Sequence, residues 1–349
     1  MVYEGFYRGR LHDICKTFKN GDLIPTLGFG TGTGYFGRSN DVAKGIVVAF
    51  HAGYRLIDTA QVYETENGVG EGIIKLIENE KMSDGQDITR QDIFLETKVG
   101  SSLMLLQNQP KIRESIMKSL ERIHVKTLDL MLLHTPGVRT NSEKWLRAIA
   151  EEDRDRIPKT PEDFHQARTE AWEVLQQCKD EGMLRHIGVS NWNDEHLSKL
   201  LQDPRCKTKP ELNQIENHPY HVGQNVINFC NKNEILIQAY GPLGNGRSER
   251  AQGGPEGNMD RVMDDPTITQ IASENDMTIA QVCIKWAVQK GILPVIKSEN
   301  ESRLKENIDA LKGVSCDKDP GKRLSEADVA RIDKLNKGQN IFLGWYNML

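Results

Sequence analysis

Short apolar runs recur along the chain, each ending in a polar residue and each set apart from the next by a stretch with helical spacing. The runs are Tyr54–Ile57 into Asp58, Ile93–Thr97 into Lys98, Leu128–Leu133 into His134 and His186–Val189 into Ser190-Asn191. They continue as Glu211–Asn213 into Gln214, Ile235–Ala239 into Tyr240 and Leu293–Ile296 into Lys297-Ser298. Leucine-rich and β-branched runs of this length, alternating with helices, read as buried parallel strands. With Leu27-Gly28-Phe29-Gly30 as a first strand the count reaches about eight, which favours a closed barrel over an open sheet. The predicted fold class is therefore α/β, an eight-stranded (β/α)8 barrel. In such barrels active sites gather at the C-terminal strand ends, so polar residues in series at those ends point to one site.

Helices are predicted from about 40 to 52, capped by Asn40 and Asp41, and near 67–78, 111–123, 169–182, 194–202, 224–232, 267–275, 278–290, 303–311 and 325–335. Asn20-Gly21, between Thr17-Phe18-Lys19 and Leu23-Ile24-Pro25, is a two-residue hairpin signal, and such an N-terminal β-hairpin suits the bottom of a barrel. Residues 137–168 and 241–264 interrupt the alternation as extended mouth loops. The first carries the charge run Glu151–Arg156, read as a solvated, partly helical flap; the second is glycine-rich and follows Tyr240, as a mobile cover over a site would. A short tail, 338–349, carries Phe342, Trp345 and Tyr346. No internal repeat is present, and residues 1–349 read as a single domain.

Composition narrows the class. A chain of 349 residues with 38% hydrophobic content can bury a core, and no apolar stretch is long enough to span a bilayer. The net charge of −5, without a basic stripe interleaved with aromatics, argues against nucleic acid as a partner. Met1–Arg8 has no apolar h-region, so no secretory signal is expected. The six dispersed cysteines contain no C-x-x-C pair and read as reduced thiols of a cytoplasmic protein, a monomer or homodimer.

Asp58, Tyr63, Lys98 and His134 form a coherent acid site. A carbonyl that accepts a hydride needs a proton on its oxygen, and a tyrosine delivers it better when a nearby ammonium lowers its pKa from about 10. Lys98 is the expected ammonium, Asp58 its orienting carboxylate, and His134 a hydrogen-bond partner for the developing oxyanion.

At these residues the chain resembles the aldo-keto reductase superfamily, in its aldose-reductase-like branch. Ile57–Tyr63 followed by Glu66, Glu96–Val99 and Leu132–Pro136 match the family's aspartate–tyrosine, lysine and histidine segments. Ile187–Trp192, Asn213–Tyr220, Ala239–Gly244 and Ile296–Asn307 continue in register, so the resemblance covers about residues 17–345. It implies an NADPH-dependent oxidoreductase that reduces aldehydes and ketones to alcohols, with Tyr63 as general acid. It also implies that Ser190, Asn191 and Gln214 bind the nicotinamide carboxamide while Tyr240 stacks on its ring, and that Gly30, Thr31, Asp58 and Leu243 line the cofactor. Lys297, Ser298 and Arg303 would hold the adenosine 2′-phosphate, with Glu306 and Asn307 reaching the adenine. Tyr63, His134, Thr135 and Trp192 are the implied substrate contacts. Three departures suggest a roomier or differently lined pocket: Thr135 stands where tryptophan is frequent, Gly32 where an aromatic is frequent, and Arg247 where some members carry an acidic clasp.

Other classes fit less well. Gly32–Gly37 matches G-x-G-x-x-G, but the next helix cap is Asn40-Asp41, so it does not open a helix as a dinucleotide fingerprint does. No tyrosine precedes a lysine by four residues, which removes a short-chain dehydrogenase, and no G-x-S-x-G elbow supports a hydrolase. His218-Pro219-Tyr220-His221 lacks a third ligand at a usual spacing, and no metal is expected. The alternative function is a barrel that binds NADPH in a regulatory or structural role with little turnover. The intact four-residue acid site argues against it.

Overall fold

The computed structural model describes residues 15–138, 143–244, 260–312 and 323–340. Strands β1 (Cys15–Thr17) and β2 (Leu23–Pro25) pair antiparallel as a separate hairpin. Then follow β3 (Gly28–Gly30), α1 (Ser39–Ala52), β4 (Leu56–Asp58), α2 (Glu66–Asn79), β5 (Phe94–Val99), α3 (Gln109–Ile123) and β6 (Leu128–Leu133). A short α4 (Glu143–Leu146) precedes α5 (Pro161–Asp180), β7 (Leu184–Ser190), α6 (Asp194–Gln202), β8 (Leu212–Glu216), α7 (Gln224–Lys232) and β9 (Leu236–Tyr240). The last described elements are α8 (Pro266–Glu274), α9 (Ile279–Gln289), β10 (Leu293–Ile296), α10 (Glu301–Asp309) and α11 (Glu326–Asp333). Strands β3 to β10 pair in parallel around a closed ring in which β10 returns to β3, as expected of a (β/α)8 barrel.

Closure sorts each strand by its period of two. Leu56, Phe94, Leu130, Leu132, Leu212 and Leu293 face the barrel axis, while Ile57, Leu95, Met131, Leu133, Ile187 and Ile215 face the helical jacket. The axis is narrow at Gly188, where a Cβ would stand 2.5 Å from the Leu212 carbonyl oxygen and 2.7 Å from Leu132 Cδ2. The hairpin plugs the bottom with Phe18 and Ile24, both buried in the axial cluster. Burial of each such side chain contributes about 1.5–3 kcal/mol. Phe18 also stacks at 3.8 Å on His186, whose ring bridges Glu211 at 2.8 Å and Asp22 at 3.1 Å.

Four local expectations are corrected. The hairpin loop has three residues rather than two: Phe18 N donates to the Asp22 carbonyl, Gly21 N donates back to Phe18, and Gly21 takes φ 90°. The turn is closed by a residue in the left-handed region, which glycine supplies without strain. Helix α1 begins at Ser39, so Asn40 and Asp41 lie in its first turn and Arg38 is the cap residue. Helix α5 begins at Pro161, not near 169, because Thr160 and Asp163 form a capping box with proline in the first turn. The charge run 151–156 is a 3-10 turn that is docked rather than wholly solvated. Asp153 is buried and pairs with Lys111 of α3, beside a satellite cluster of Leu105, Val138, Ile149 and Phe164.

Candidate active site

The inward phase of three adjacent strands carries the acid site to the barrel mouth. Asp58 ends β4, Lys98 points inward from β5, and His134 follows β6. Tyr63 closes the 3-10 turn Gln61–Tyr63 that follows β4, which brings its ring back over the mouth. Lys98 Nζ pairs with Asp58, donates to the Thr59 carbonyl at 2.9 Å, and lies 5.3 Å from the centre of the Tyr63 ring. The Tyr63 and His134 rings meet edge to face at 5.6 Å and 81°. All four candidate catalytic side chains are thus brought together.

Their protonation states follow from burial and from one another. Burial alone pushes the Lys98 ammonium down, but the Asp58 carboxylate outweighs it and the net direction is up, so Lys98 stays charged. His134 falls to about 3, by burial and then by the Lys98 cation, so its imidazole is neutral. Tyr63 corrects the sequence expectation. Lys98 does lower its phenol, but burial is the larger effect, Asp58 and Glu96 add to it, and the net value rises to about 12. The phenol keeps its proton across the working range, as a proton donor must.

Beneath Lys98 lies a layer that sequence reasoning missed. Glu96, on the inward phase two residues before Lys98, is 1% exposed. Gln214 Nε2 lies 2.8 Å from Glu96 Oε1, 3.0 Å from Asp58 Oδ1 and 2.6 Å from Gln238 Oε1, and Gln238 Nε2 donates to Glu96 Oε2 at 2.9 Å. Burial and the Asp58 carboxylate raise the Glu96 carboxyl well above the usual range. The signal in the sequence was the alternation of Glu96 and Gln238 with apolar neighbours in otherwise hydrophobic strands.

The expected cofactor residues fall into two groups. Ser190, Asn191, Gln214 and Tyr240 end β7, β8 and β9 side by side. Tyr240 Oη donates to Asn191 Oδ1 at 2.7 Å, and Asn191 Nδ2 donates to the His134 carbonyl at 2.9 Å. The phenol is thereby pinned at its hydroxyl, and Asn191 holds a left-handed φ of 64°. Ser190 Oγ donates to the Gln214 carbonyl at 2.9 Å. Because Gln214 Nε2 is committed to the acidic layer, a carboxamide contact falls to its other amide atom. The Thr31 side chain is buried on the Asp58 carbonyl at 3.1 Å beside Gly30, and Leu243 is half-buried against the outer core. The second group surrounds the start of α10: Lys297, Ser298, exposed Arg303, Glu306 bound by Thr278 Oγ1 at 2.6 Å, and buried Asn307. Amide and hydroxyl groups at one end and cations at the other fit a ligand with a carboxamide and a phosphate monoester.

Two expected substrate contacts are buried. Thr135 is 1% exposed because its hydroxyl donates to the Gly137 carbonyl at 2.7 Å. Trp192 is 0% exposed, inside the outer core and edge-on to His196. An unanticipated aromatic takes a place at the mouth: Phe36, 43% exposed, meets the Tyr63 ring edge-on at 5.1 Å. Gly32 makes room for that ring, since a Cβ there would lie 3.1 Å from two Tyr63 carbons. Arg247, the glycine-rich loop from 245 to 259 and the aromatic tail from 341 lie outside the described residues. His218 and His221 close a tight turn through paired backbone hydrogen bonds. Among the described residues, no group of three potential ligands is arranged for a metal and no helix is long and apolar enough to cross a membrane.

The sequence profile of the Aldo/keto reductase family matches residues 26–337. Dihydrodiol dehydrogenase 3 of Bos taurus is 32% identical over 318 residues, 91% of this chain and 90% of its own. Aldo-keto reductase family 1 member C15 of Rattus norvegicus is 31% identical over 327 residues, 93% and 92% of the two chains. The crystal structure of a Bombyx mori aldo-keto reductase in complex with NADP superimposes with a TM-score of 0.74, at 27% identity over 94% of each chain.

Proposed function

The chain belongs to the aldo/keto reductase family, and from that premise we propose how its own side chains carry the NADPH-dependent reduction of aldehydes and ketones to alcohols. The observation that carries the assignment is the Asp58–Lys98 pair beneath Tyr63, with neutral His134 edge-on to the same ring. Bound NADPH supplies the hydride. Ser190, Asn191 and Gln214 would hold its carboxamide, the pinned Tyr240 ring would back its nicotinamide, and Lys297, Ser298 and Arg303 would receive its 2′-phosphate.

Tyr63 donates its phenolic proton to the carbonyl oxygen as negative charge develops there. Lys98 stabilises the phenolate left behind, and Asp58 keeps Lys98 charged and aimed. His134, uncharged, donates a hydrogen bond to the same oxygen and orients the carbonyl without competing for the proton. Residues 1–349 act as one catalytic unit, an extension of the barrel whose profile match already spans 26–337.

Two measurements test the finer assignments. A charge-assisted hydrogen bond from arginine to phosphate is worth roughly 1.5–3 kcal/mol, and exposure of Arg303 puts the expectation at the low end. Arg303→Ala is expected to reduce the NADPH-over-NADH preference in kcat/KM by about tenfold, mostly through NADPH. An unchanged preference would place the phosphate elsewhere. Substrate choice rests on the mouth, where Phe36 is exposed and neither Thr135 nor Trp192 forms a wall. A permissive pocket follows: aromatic and short aliphatic aldehydes should show comparable kcat/KM across a panel that also includes sugar aldehydes. Strong activity on one compound with near silence on the others would refute it.

A further inference from the structure

The cations at the start of α10 are not equally available. Arg303 is exposed and pairs with no carboxylate among the described residues. Lys297 Nζ, in contrast, donates to Glu299 Oε1 at 2.7 Å, and Arg38, from the loop between β3 and α1, reaches the same carboxylate at 3.4 and 3.5 Å. Lys297 is also confined from its other sides. Its ammonium lies 5.1 Å from the centre of the Tyr35 ring, and a Cβ at Gly34 would stand 2.5 Å from Nζ. Arg38 is fixed by Asp41 at 2.8 Å and by the Gly34 carbonyl at 2.7 Å. The Lys297 ammonium, followed by Arg38, holds the Glu299 carboxyl below the usual range, so the group is an anion. A carboxylate gripped by an ammonium and a guanidinium occupies the partners a phosphate monoester would use. The cluster is open to ligands, with side chains 28% exposed at Lys297, 44% at Glu299 and 46% at Arg38.

We infer that Glu299 is an internal stand-in for the cofactor 2′-phosphate, a carboxylate that occupies Lys297 and Arg38 and holds down the preference of this chain for NADPH over NADH. The inference rests on the cofactor reading above and deepens it. A phosphate arriving at Lys297 either displaces the Glu299 carboxylate or accepts it as a like-charged neighbour. Both costs fall on the 2′-phosphate alone, because the 2′-hydroxyl of NADH brings no charge. The ion pair also joins the loop after β3 to the loop after β10, so displacement frees the two loops from each other while Arg38 stays anchored through Asp41.

The test is equilibrium binding, read by quenching of tryptophan fluorescence, with NADPH and NADH titrated separately into the wild type, Glu299→Gln and Arg303→Ala. Removing one exposed competing charge is expected to lower the NADPH Kd by about three- to fivefold. The NADH Kd should move less, so the ratio of the two constants rises. The gain should shrink as salt is added. An unchanged or lower ratio in Glu299→Gln, with Arg303→Ala lowering it as expected, would overturn the competitor role alone and leave the phosphate site standing. If Arg303→Ala leaves the ratio unchanged, the phosphate does not sit at α10 and both readings fall.

Discussion

Replacing Tyr63 with phenylalanine is expected to lower kcat for carbonyl reduction by about 10²–10⁴-fold, the usual contribution of a positioned general acid. The NADPH Kd should stay near wild type, since none of the proposed cofactor contacts involves the phenol. The ring itself should remain seated, because its edge contacts with His134 and Phe36 need no hydroxyl. Retention of most of the wild-type kcat would remove Tyr63 from its role. The pH profile supplies an independent check. Reduction needs the phenol protonated and His134 neutral; with values of about 12 and about 3, both hold across neutral pH. Neither group should therefore shape the reduction profile near neutrality. The reverse reaction, alcohol oxidation, needs phenolate and should rise with pH throughout the alkaline range. A loss of reduction between pH 6 and 8 that disappears in Tyr63→Phe would contradict this assignment.

Lys98→Met is expected to damage both rate and stability. Methionine keeps the length of the side chain and removes the ammonium, leaving Asp58 as an uncompensated buried carboxylate. Breaking a buried pair from one side costs about 3–5 kcal/mol, so a clear fall in Tm should accompany the loss of kcat. The rate falls because the Lys98 cation lowers a phenol already raised by burial, Asp58 and Glu96. Without it, the alkaline rise of alcohol oxidation should move to higher pH. A variant with lowered Tm but wild-type kcat and an unmoved profile would reduce Lys98 to a structural ion pair.

The apolar runs carried the architecture in the sequence itself. Parallel barrel strands are covered on both faces, so Leu128–Leu133 or Phe94–Leu95 announce themselves as strands without tertiary information. The polar residue at each run's end marked the mouth, because the chain leaves the core there, and Asp58, Lys98 and His134 were legible for that reason. The capping box Thr160–Asp163 was equally local, and overlooking it displaced the start of α5.

What the tertiary structure decided depends on groups far apart in the chain. Asp58 meets Lys98 across 40 residues, Gln238 meets Glu96 across 142 and Gln214 meets Asp58 across 156. No local propensity encodes these separations, so the buried acidic layer and the net rise in the Tyr63 pKa appear only once the barrel closes and water is excluded. Thr135 and Trp192 show the same limit from the other side: both are expected from the sequence as substrate contacts, and packing buries both. Glu299 joins them, since its carboxylate acquires meaning only when Arg38, 261 residues away, is folded against it. Local sequence determines which segments become strands and helices, because that preference is short-ranged. Burial and electrostatic coupling, which set the chemistry of the site, belong to the assembled barrel.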